Sequence, residues 1–569
     1  LSIGQPGRED LLRWRGASPS NYYDASPNLA RVFALRAGPA LLAATGPNLG
    51  HFGQVVAEEV EPAVAMVERH REFPAHVKYD ALGQHRESIE FHPAHLDAGR
   101  AIWASGMLAL PNDRAGDFEM AGLFYLLSHV GEGGHACPVV CTAGLARALG
   151  RRGPDALAER HLDALRGRDY PRSARGSQFL TEIQGGSDVG ANVTRAVPDV
   201  TVDGAWRITG EKWFCSVADA QLFAVMARPE GGVAGTRGLG LFLVPRSLDG
   251  SAPNGFAIRR LKDKLGTRSM ASAEIDFDAA LGWPIGTVEE GFHIAVQDLL
   301  NTSRWLNALG STGIMRRAFL EASSFARHRL AFGRPIDSFP LVREQLAVMK
   351  SEEYAALSST MVLTALLGRL DESVADESEE RFYRFLVNAN KYLTSISATD
   401  VARRGIEVLG GNGTIEDFSP MPRLYRDAMV YESWEGTHNV LCAQVQRDCV
   451  RLGLLDDVLV WVRKELATAG AGADAGLVAD ALDRLEPRLQ RSLRDAGSGA
   501  AHFRRQLDAL VRAIQAASLL HEAAGEEPAT GKAAAAALFV RRHLAPGYVP
   551  DDDPSWGDRI DAVVAGDAG

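Results

Sequence analysis

A set of short, strand-like segments enclosed between two long helix-periodic stretches constrains this chain more than any other feature. Segments 194–198, 206–214, 222–227 and 240–245 are apolar or alternating and are separated by glycine or aspartate turns. That pattern predicts a compact β unit beginning at about residue 176. Before it, segments 52–60, 97–110 and 120–130 repeat apolar residues every three or four positions, so 28–165 reads as mostly helical. Residues 79–83 and 91–93 read as turns. After it, helical periodicity returns at 291 and runs through four long segments to about 455, with 371–380 as an acidic, exposed connection. The last hundred or so residues are rich in Ala, Arg and Leu and also read as helical, with linkers at 470–476 and 522–532 and a mobile acidic tail at 551–553. One β unit set among helices is unlike a doubly wound sheet, which needs strands and helices to alternate throughout. The expected class is a multi-domain α+β protein divided at 1–175, 176–285, 286–455 and 456–569.

A length of 569 residues exceeds one ordinary core and suits three or four domains. No stretch approaches the roughly 20 continuous apolar residues that span a bilayer, and 1–36 lacks an apolar signal core. Five cysteines without a C-x-x-C pair argue against a disulfide scaffold or a zinc ribbon. Cys137 and Cys141, one helical turn apart, read as core thiols. The expectation is a cytoplasmic protein with no metal and no membrane partner. A net charge of −11 does not favour a polyanion as main partner.

Two segments can carry chemistry. Thr181-Glu-Ile-Gln-Gly-Gly-Ser-Asp188 offers two hydroxyl donors and two glycines where helix gives way to sheet, which suits a flavin ring and its pyrophosphate. A glycine turn entering a strand is the other reading. The segment is no nucleophile elbow, since Val189 stands where the second glycine of G-x-S-x-G belongs. The nearest approach to a phosphate-binding loop, at 525–532, has the wrong spacing and Ala533 where Ser or Thr is needed. The second segment joins Glu407-Val-Leu-Gly-Gly-Asn-Gly-Thr414 to Trp434-Glu-Gly-Thr437. Its glycines allow close approach to a bulky anionic ligand, and Glu435 is a candidate proton-abstracting base. Glu432, before the turn, reads as solvated.

In order and spacing these segments resemble the acyl-CoA dehydrogenase superfamily, whose signature Thr-Glu-x-x-x-Gly-Ser-Asp is matched at 181–188. Lys212-Trp-Phe-Cys-Ser216 resembles the strand that reaches the flavin, and Arg327-His-Arg-Leu-Ala-Phe-Gly-Arg-Pro335 resembles the family's Arg-x-x-Phe-Gly segment. Tyr79-Asp-Ala-Leu-Gly83, Gly133-Gly-His-Ala-Cys-Pro138, Leu261-Lys-Asp-Lys-Leu-Gly-Thr-Arg-Ser269 and the Trp-Glu-Gly form resemble its AidB-like branch, the adaptive-response flavoproteins. The resemblance covers about 70–450. It implies an N-terminal helical domain, a middle β-barrel or sandwich domain, a C-terminal helical bundle and an extra C-terminal helical domain.

It further implies FAD as cofactor, contacted by Thr181, Gly186, Ser187, Trp213, Phe214, Cys215, Ser216, Arg329, Phe332, Gly410, Gly411, Trp434, Gly436, Thr437 and Asn439. Arg329 and the glycine pair would meet the flavin of a neighbouring subunit, so the chain is expected to be a homo-oligomer, a dimer or a homotetramer. Cys215 stands where many members have Thr, and a thiol is a weaker donor to flavin N5. Glu435 would remove the α-proton of an acyl thioester, with desolvation beside Trp434 raising its pKa. The family's alternative base position holds Ser303 here. Arg304 is expected either to organise the active site or to form a structural ion pair.

Three functions follow from the resemblance. The first is an FAD-dependent dehydrogenase of an acyl thioester carried on coenzyme A or a carrier protein, or of a related acyl substrate, with an unidentified electron acceptor (electron-transfer flavoprotein or oxygen). The second is a DNA-associated protein that guards against alkylation. The third is a flavin-dependent N-oxygenase on the same scaffold. Residues 456–569 hold thirteen Lys and Arg against eighteen Asp and Glu, the wrong sign for phosphate neutralisation, so DNA is not the expected partner. The retained Glu435 favours dehydrogenation over oxygenation.

Overall fold

A computed structural model describes residues 6–152, 156–248, 252–526 and 530–566. Residues 527–529, within the expected linker at 522–532 and the loop-like stretch at 525–532, lie outside the described residues. The chain forms two compact units, one comprising Glu59–Pro111 and Glu132–Leu306, the other Leu1–Glu58, Asn112–Gly131 and Asn307–Gly569.

The first of these units contains all the strands of the middle region. A hairpin of β1 (Ala75–Tyr79) and β2 (His85–Glu90) occupies a stretch expected to be helices joined by turns. Its strands are short and largely polar, so they carry no apolar alternation. The predicted turn is real: Asp80 accepts from the Leu82 and Gln84 amides at 2.8 and 2.9 Å, and Gly83 takes φ +78°. The hairpin is pinned by Glu87, whose wholly buried carboxylate bonds His76 at 2.6 Å, His85, and the Ile258 amide at 2.9 Å.

The middle strands are β3 (Gly176–Phe179), β4 (Arg195–Pro198), β5 (Trp206–Ser216), β6 (Leu222–Pro229), β7 (Gly240–Pro245), β8 (Phe256–Leu261) and β9 (Ser272–Pro284). Their order is β3-β6-β4-β5-β9-β7, with β8 added beside β9. Because β7 also pairs with β6, the order closes on itself, and a closed sheet leaves few unpaired edges. Leu222, Ala224 and Met226 of β6 and Leu241 and Leu243 of β7 meet Leu145 and Leu149 of helix Ala136–Arg151 in one core.

The other unit is helical. Helix Pro340–Asp371 is buried on all sides over much of its length, which requires its polar side chains to find internal partners. Glu353 accepts from Tyr125 at 3.1 Å and Ser359 donates to Asn390 at 2.7 Å. Helix Glu377–Leu409 opens with a capping box made by Asp376 and Glu379. The C-terminal helices attach through buried ionic contacts. Glu352 meets His543 at 2.6 Å and Arg512 at 3.1 Å, and Glu522, paired with Lys532 at 2.9 Å, accepts from Ser358 at 2.6 Å. Burial works against the Glu352 charge, but His543 and Arg512 hold its carboxyl well below the usual range. The acidic stretch expected to be mobile is instead structured: Pro550–Asp552 forms a single turn, and Asp553 accepts from Tyr548 at 2.6 Å and from Ser555 at 2.7 Å. Among the described residues no helix is long and apolar enough to cross a membrane.

Candidate functional site

In the barrel unit the Thr181 loop is fixed to strand β5 by a buried ion pair. Lys212 Nζ lies 2.8 Å from Glu182 Oε1, both side chains almost wholly buried, and donates also to the Leu180 carbonyl at 3.3 Å. Glu182 takes the Val193 and Thr194 amides at 2.7 and 3.1 Å. Burial alone would push the Glu182 carboxyl up, but Lys212 and these donors bring it down to about 2. Burial pulls Lys212 below its ordinary value despite its partner. The Trp213 amide donates to the Thr181 carbonyl at 3.0 Å, so the loop and the strand bearing Trp213 are held in register.

The expected flavin contacts of this unit lie on the loop and strand so joined. Gly186 and Ser187 are exposed, Thr181, Trp213 and Ser216 half-buried, and Phe214 is 54% exposed. A Cβ on Gly186 would come within 2.6 Å of Thr181 Oγ1, so glycine is needed for that hydroxyl to stay where it is. Cys215 is wholly buried and burial pushes its thiol far up, while Ser216 beside it faces Ser272 across the sheet. Lys262 Nζ stands 3.6 Å from the Trp213 ring centroid and 2.8 Å from Glu274. Arg304 is buried and donates to Asn301 at 3.4 Å; Ser303 accepts from Gln178 at 3.4 Å.

In the helical unit, Leu330–Ala331 and Arg334–Pro335 pair as a minimal hairpin. Its two turn residues, Phe332 and Gly333, take φ +54° and +84°, which leaves Phe332 96% exposed at the tip. Arg329, one residue before the hairpin, is half-buried. Gly410 and Gly411 are exposed, and added Cβ atoms would meet nothing within 4 Å, so this backbone is open to a ligand.

Helix Met421–Ser433 ends at Trp434, whose ring stacks on Tyr431 at 5.1 Å. Glu435 follows at φ +57° and Gly436 at +105°. A left-handed conformation at a non-glycine residue costs on the order of 1 kcal/mol and persists only where the surroundings hold it. Glu432 is not solvated as expected. Its carboxylate accepts from Thr399 Oγ1 at 2.5 Å and bonds His438 Nε2 at 2.8 Å. Half-burial raises its pKa, but His438 and Thr399 leave it lower than usual. Thr437 and Asn439 are exposed, and Asn439 accepts from Arg504 at 3.2 Å.

Glu182, Lys212, Lys391 and His438 organise these segments, yet sequence reasoning assigned them no role. Glu182 and Lys212 were within reach, since each stands inside a quoted motif. A metal trio is suggested by His70, Glu72 and His92, whose ligand atoms lie within 4.8 Å of one another. His92 Nδ1, however, accepts from the Ala94 amide at 3.0 Å. In a neutral ring that places the proton on Nε2, the nitrogen turned toward Glu72. The trio is a helix cap with a surface contact.

Three family models match the chain. The middle domain of acyl-CoA dehydrogenases matches residues 177–280, their C-terminal domain 289–449, and the N-terminal domain of the adaptive response protein AidB 17–172. The chain is 34% identical over 385 residues to the putative acyl-CoA dehydrogenase AidB of Escherichia coli K12, covering 66% of this chain and 69% of that protein. It is similar to Caenorhabditis elegans ACDH-11, solved in complex with C11-CoA, at TM-score 0.84 and 26% identity over 94% of this chain and 93% of that one. A Bacillus anthracis acyl-CoA dehydrogenase complexed with FAD shares the fold at TM-score 0.70 and 19% identity, covering 92% of this chain and 87% of that one. The chain belongs to the acyl-CoA dehydrogenase family, in its AidB-like branch, and is an FAD-dependent oxidoreductase.

Proposed function

We propose that the protein dehydrogenates an acyl thioester, with Glu435 as the base that removes the α-proton. The observation that carries this reading is the Trp434-Glu435-Gly436 turn, where a carboxylate sits on a left-handed backbone beside a stacked indole. An α-C–H is a weak acid, so proton removal needs a base held at one position rather than a mobile surface glutamate. Glu435 then holds the abstracted proton on its carboxylate. Bound FAD supplies the hydride acceptor. Thr181, Ser187, Trp213, Phe214 and Ser216 would hold it in the barrel unit, and Gly186 allows close approach. Cys215 contributes packing rather than a hydrogen bond.

The Phe332 hairpin, Arg329, Gly410 and Gly411 support a homo-oligomer, a dimer or a tetramer, in which they meet the FAD of a neighbouring subunit. A guanidinium fork suits its diphosphate. The ACDH-11 relative supports a coenzyme A thioester as substrate, and a carrier-protein thioester has the same reacting end. A cytoplasmic location fits five buried cysteines that form no disulfide. DNA protection is the weaker reading, since arginines that would form a basic patch are engaged internally: Arg541 with Asp474, Arg542 with Glu352, and Arg504 with Tyr392.

The test is anaerobic bleaching of the flavin by a panel of acyl-CoA and acyl-carrier thioesters. Glu435→Gln should retain fold and FAD and slow flavin reduction by on the order of 10²- to 10⁴-fold. Glu377→Gln, at an exposed helix start, is the matched control. Reduction at the wild-type rate in Glu435→Gln would remove Glu435 as the base.

A further inference from the structure

The turn 434–437 that carries Glu435 joins helix Met421–Ser433 to helix His438–Leu452 and is tied to one face of helix Glu377–Leu409. Lys391 and Thr399 stand eight residues apart on that helix, a spacing that places both on one side. Thr399 holds the Glu432 carboxylate, as described above. Lys391 is wholly buried, and its Nζ donates to the carbonyl of Glu432 at 3.0 Å and to that of Gly436 at 3.2 Å. One ammonium therefore joins main-chain atoms on both sides of Glu435. His438, just past the turn, closes the same loop through its bond to Glu432.

We infer that Lys391 is a positioning residue for Glu435, fixing the turn so that the carboxylate is presented in a single orientation. This rests on the reading of Glu435 as the base. A left-handed conformation at a non-glycine residue persists where the surrounding chain is held, and Lys391 ties the main chain three residues before Glu435 to that of the residue after it. An ammonium is suited to the task because its rotatable donors can serve two carbonyls that converge from different peptides. Methionine matches the length of the stem but leaves those carbonyls without this donor.

The experiment compares wild type, Lys391→Met and Lys391→Arg as FAD-loaded full-length protein. Amide hydrogen exchange over 432–438 needs no substrate and reads the clamp directly. In Lys391→Met, exchange there should rise at least about tenfold while the barrel strands keep wild-type protection. With a thioester that bleaches the wild-type flavin, the reduction rate should fall by roughly 10²-fold, as expected for a misplaced base. KM should change by about threefold or less, because substrate binding is not the function lost. Lys391→Arg keeps a donor and should recover the rate to within about tenfold of wild type. If Lys391→Met does not fold, the arginine variant carries the comparison, since its slower rate should follow its exchange. Unchanged exchange over 432–438 in folded Lys391→Met overturns the proposal, as does a KM effect with an unchanged maximal rate. If no thioester bleaches the wild type, the assignment of Glu435 fails, and exchange alone decides whether the clamp exists.

Discussion

Two wholly buried lysines, one in each unit, are used in different ways. Lys212 in the barrel unit is set against a carboxylate, Glu182, and the pair fastens the Thr181 loop to strand β5. Lys391 in the helical unit is aimed at two carbonyls that flank a strained residue. In the first case charge is matched by charge, and the gain is a fixed register between Thr181 and Trp213. In the second the ammonium reaches two peptide carbonyls, with its charge also felt by the Glu432 carboxylate, and the gain on the proposed reading is the orientation of Glu435. A buried ion pair has little net value for stability even though breaking it is costly. If Glu435 is the base, as proposed, a clamp on its turn matters greatly for rate at modest cost in stability.

The largest effect expected from this contrast is on the stability of the barrel unit. Lys212→Met leaves Glu182 buried without its cation and should cost on the order of 3 to 5 kcal/mol. The double variant Glu182→Gln, Lys212→Met removes both charges and should recover most of that loss. Denaturant unfolding of the FAD-loaded protein measures both. If the double variant is as unstable as the sum of the single changes, Lys212 and Glu182 do not act as a pair.

How much of this was legible beforehand depends on what each residue leaves in the local sequence. Thr181-Glu-Ile-Gln-Gly-Gly-Ser-Asp188 and Trp434-Glu-Gly-Thr437 are contiguous, so their donors, glycines and carboxylate can be read directly. The compact β unit was visible in its apolar segments because β6 and β7 are buried on nearly every residue, whereas its closure was not. The hairpin Ala75–Glu90 escaped because its strands are mostly polar and its anchor is a buried glutamate. Lys391 escaped for a different reason. It stands 41 and 45 residues from the carbonyls it serves, inside a helix where a lysine ordinarily marks a solvated face. Glu432 was misjudged likewise, since its partners Thr399 and His438 come from two other helices.

The second effect is on acid stability. The Glu182 carboxyl titrates at about 2 in the folded chain against an ordinary value of 4.5. A folded value below the unfolded one means stability that is fully present above the unfolded value and is lost as pH falls toward the folded one. Glu182→Gln should therefore be much less stable than wild type at neutral pH. The gap should narrow progressively below about pH 4.5 as the wild-type carboxyl protonates in the unfolded chain. Thermal midpoints of the two proteins, measured side by side from pH 7 to 2.5, isolate this group from the other carboxylates. A gap independent of pH would show that Glu182 acts through packing alone.

The smallest effect sharpens the helical side of the comparison. Arg504, from helix Ala496–Ala524, donates to Tyr392 Oη at 3.1 Å and to Asn439 at 3.2 Å. Tyr392 follows Lys391 on its helix and packs edge-on against His438 at 5.3 Å. The C-terminal helices thus brace the outer side of the same turn, but through an exposed arginine whose partners are neutral: a buried tyrosine hydroxyl that Asp508 also holds, and an exposed amide. Hydrogen bonds of that kind contribute about 1 kcal/mol or less. Arg504→Ala should lower stability by about that amount and slow flavin reduction by only a few-fold, with no loss of FAD. If it slows reduction as much as Lys391→Met does, the orientation of Glu435 depends on the C-terminal helices as a whole rather than on one buried ammonium. Equal rates for Arg504→Ala and wild type would confine the positioning role to the inner face of helix Glu377–Leu409.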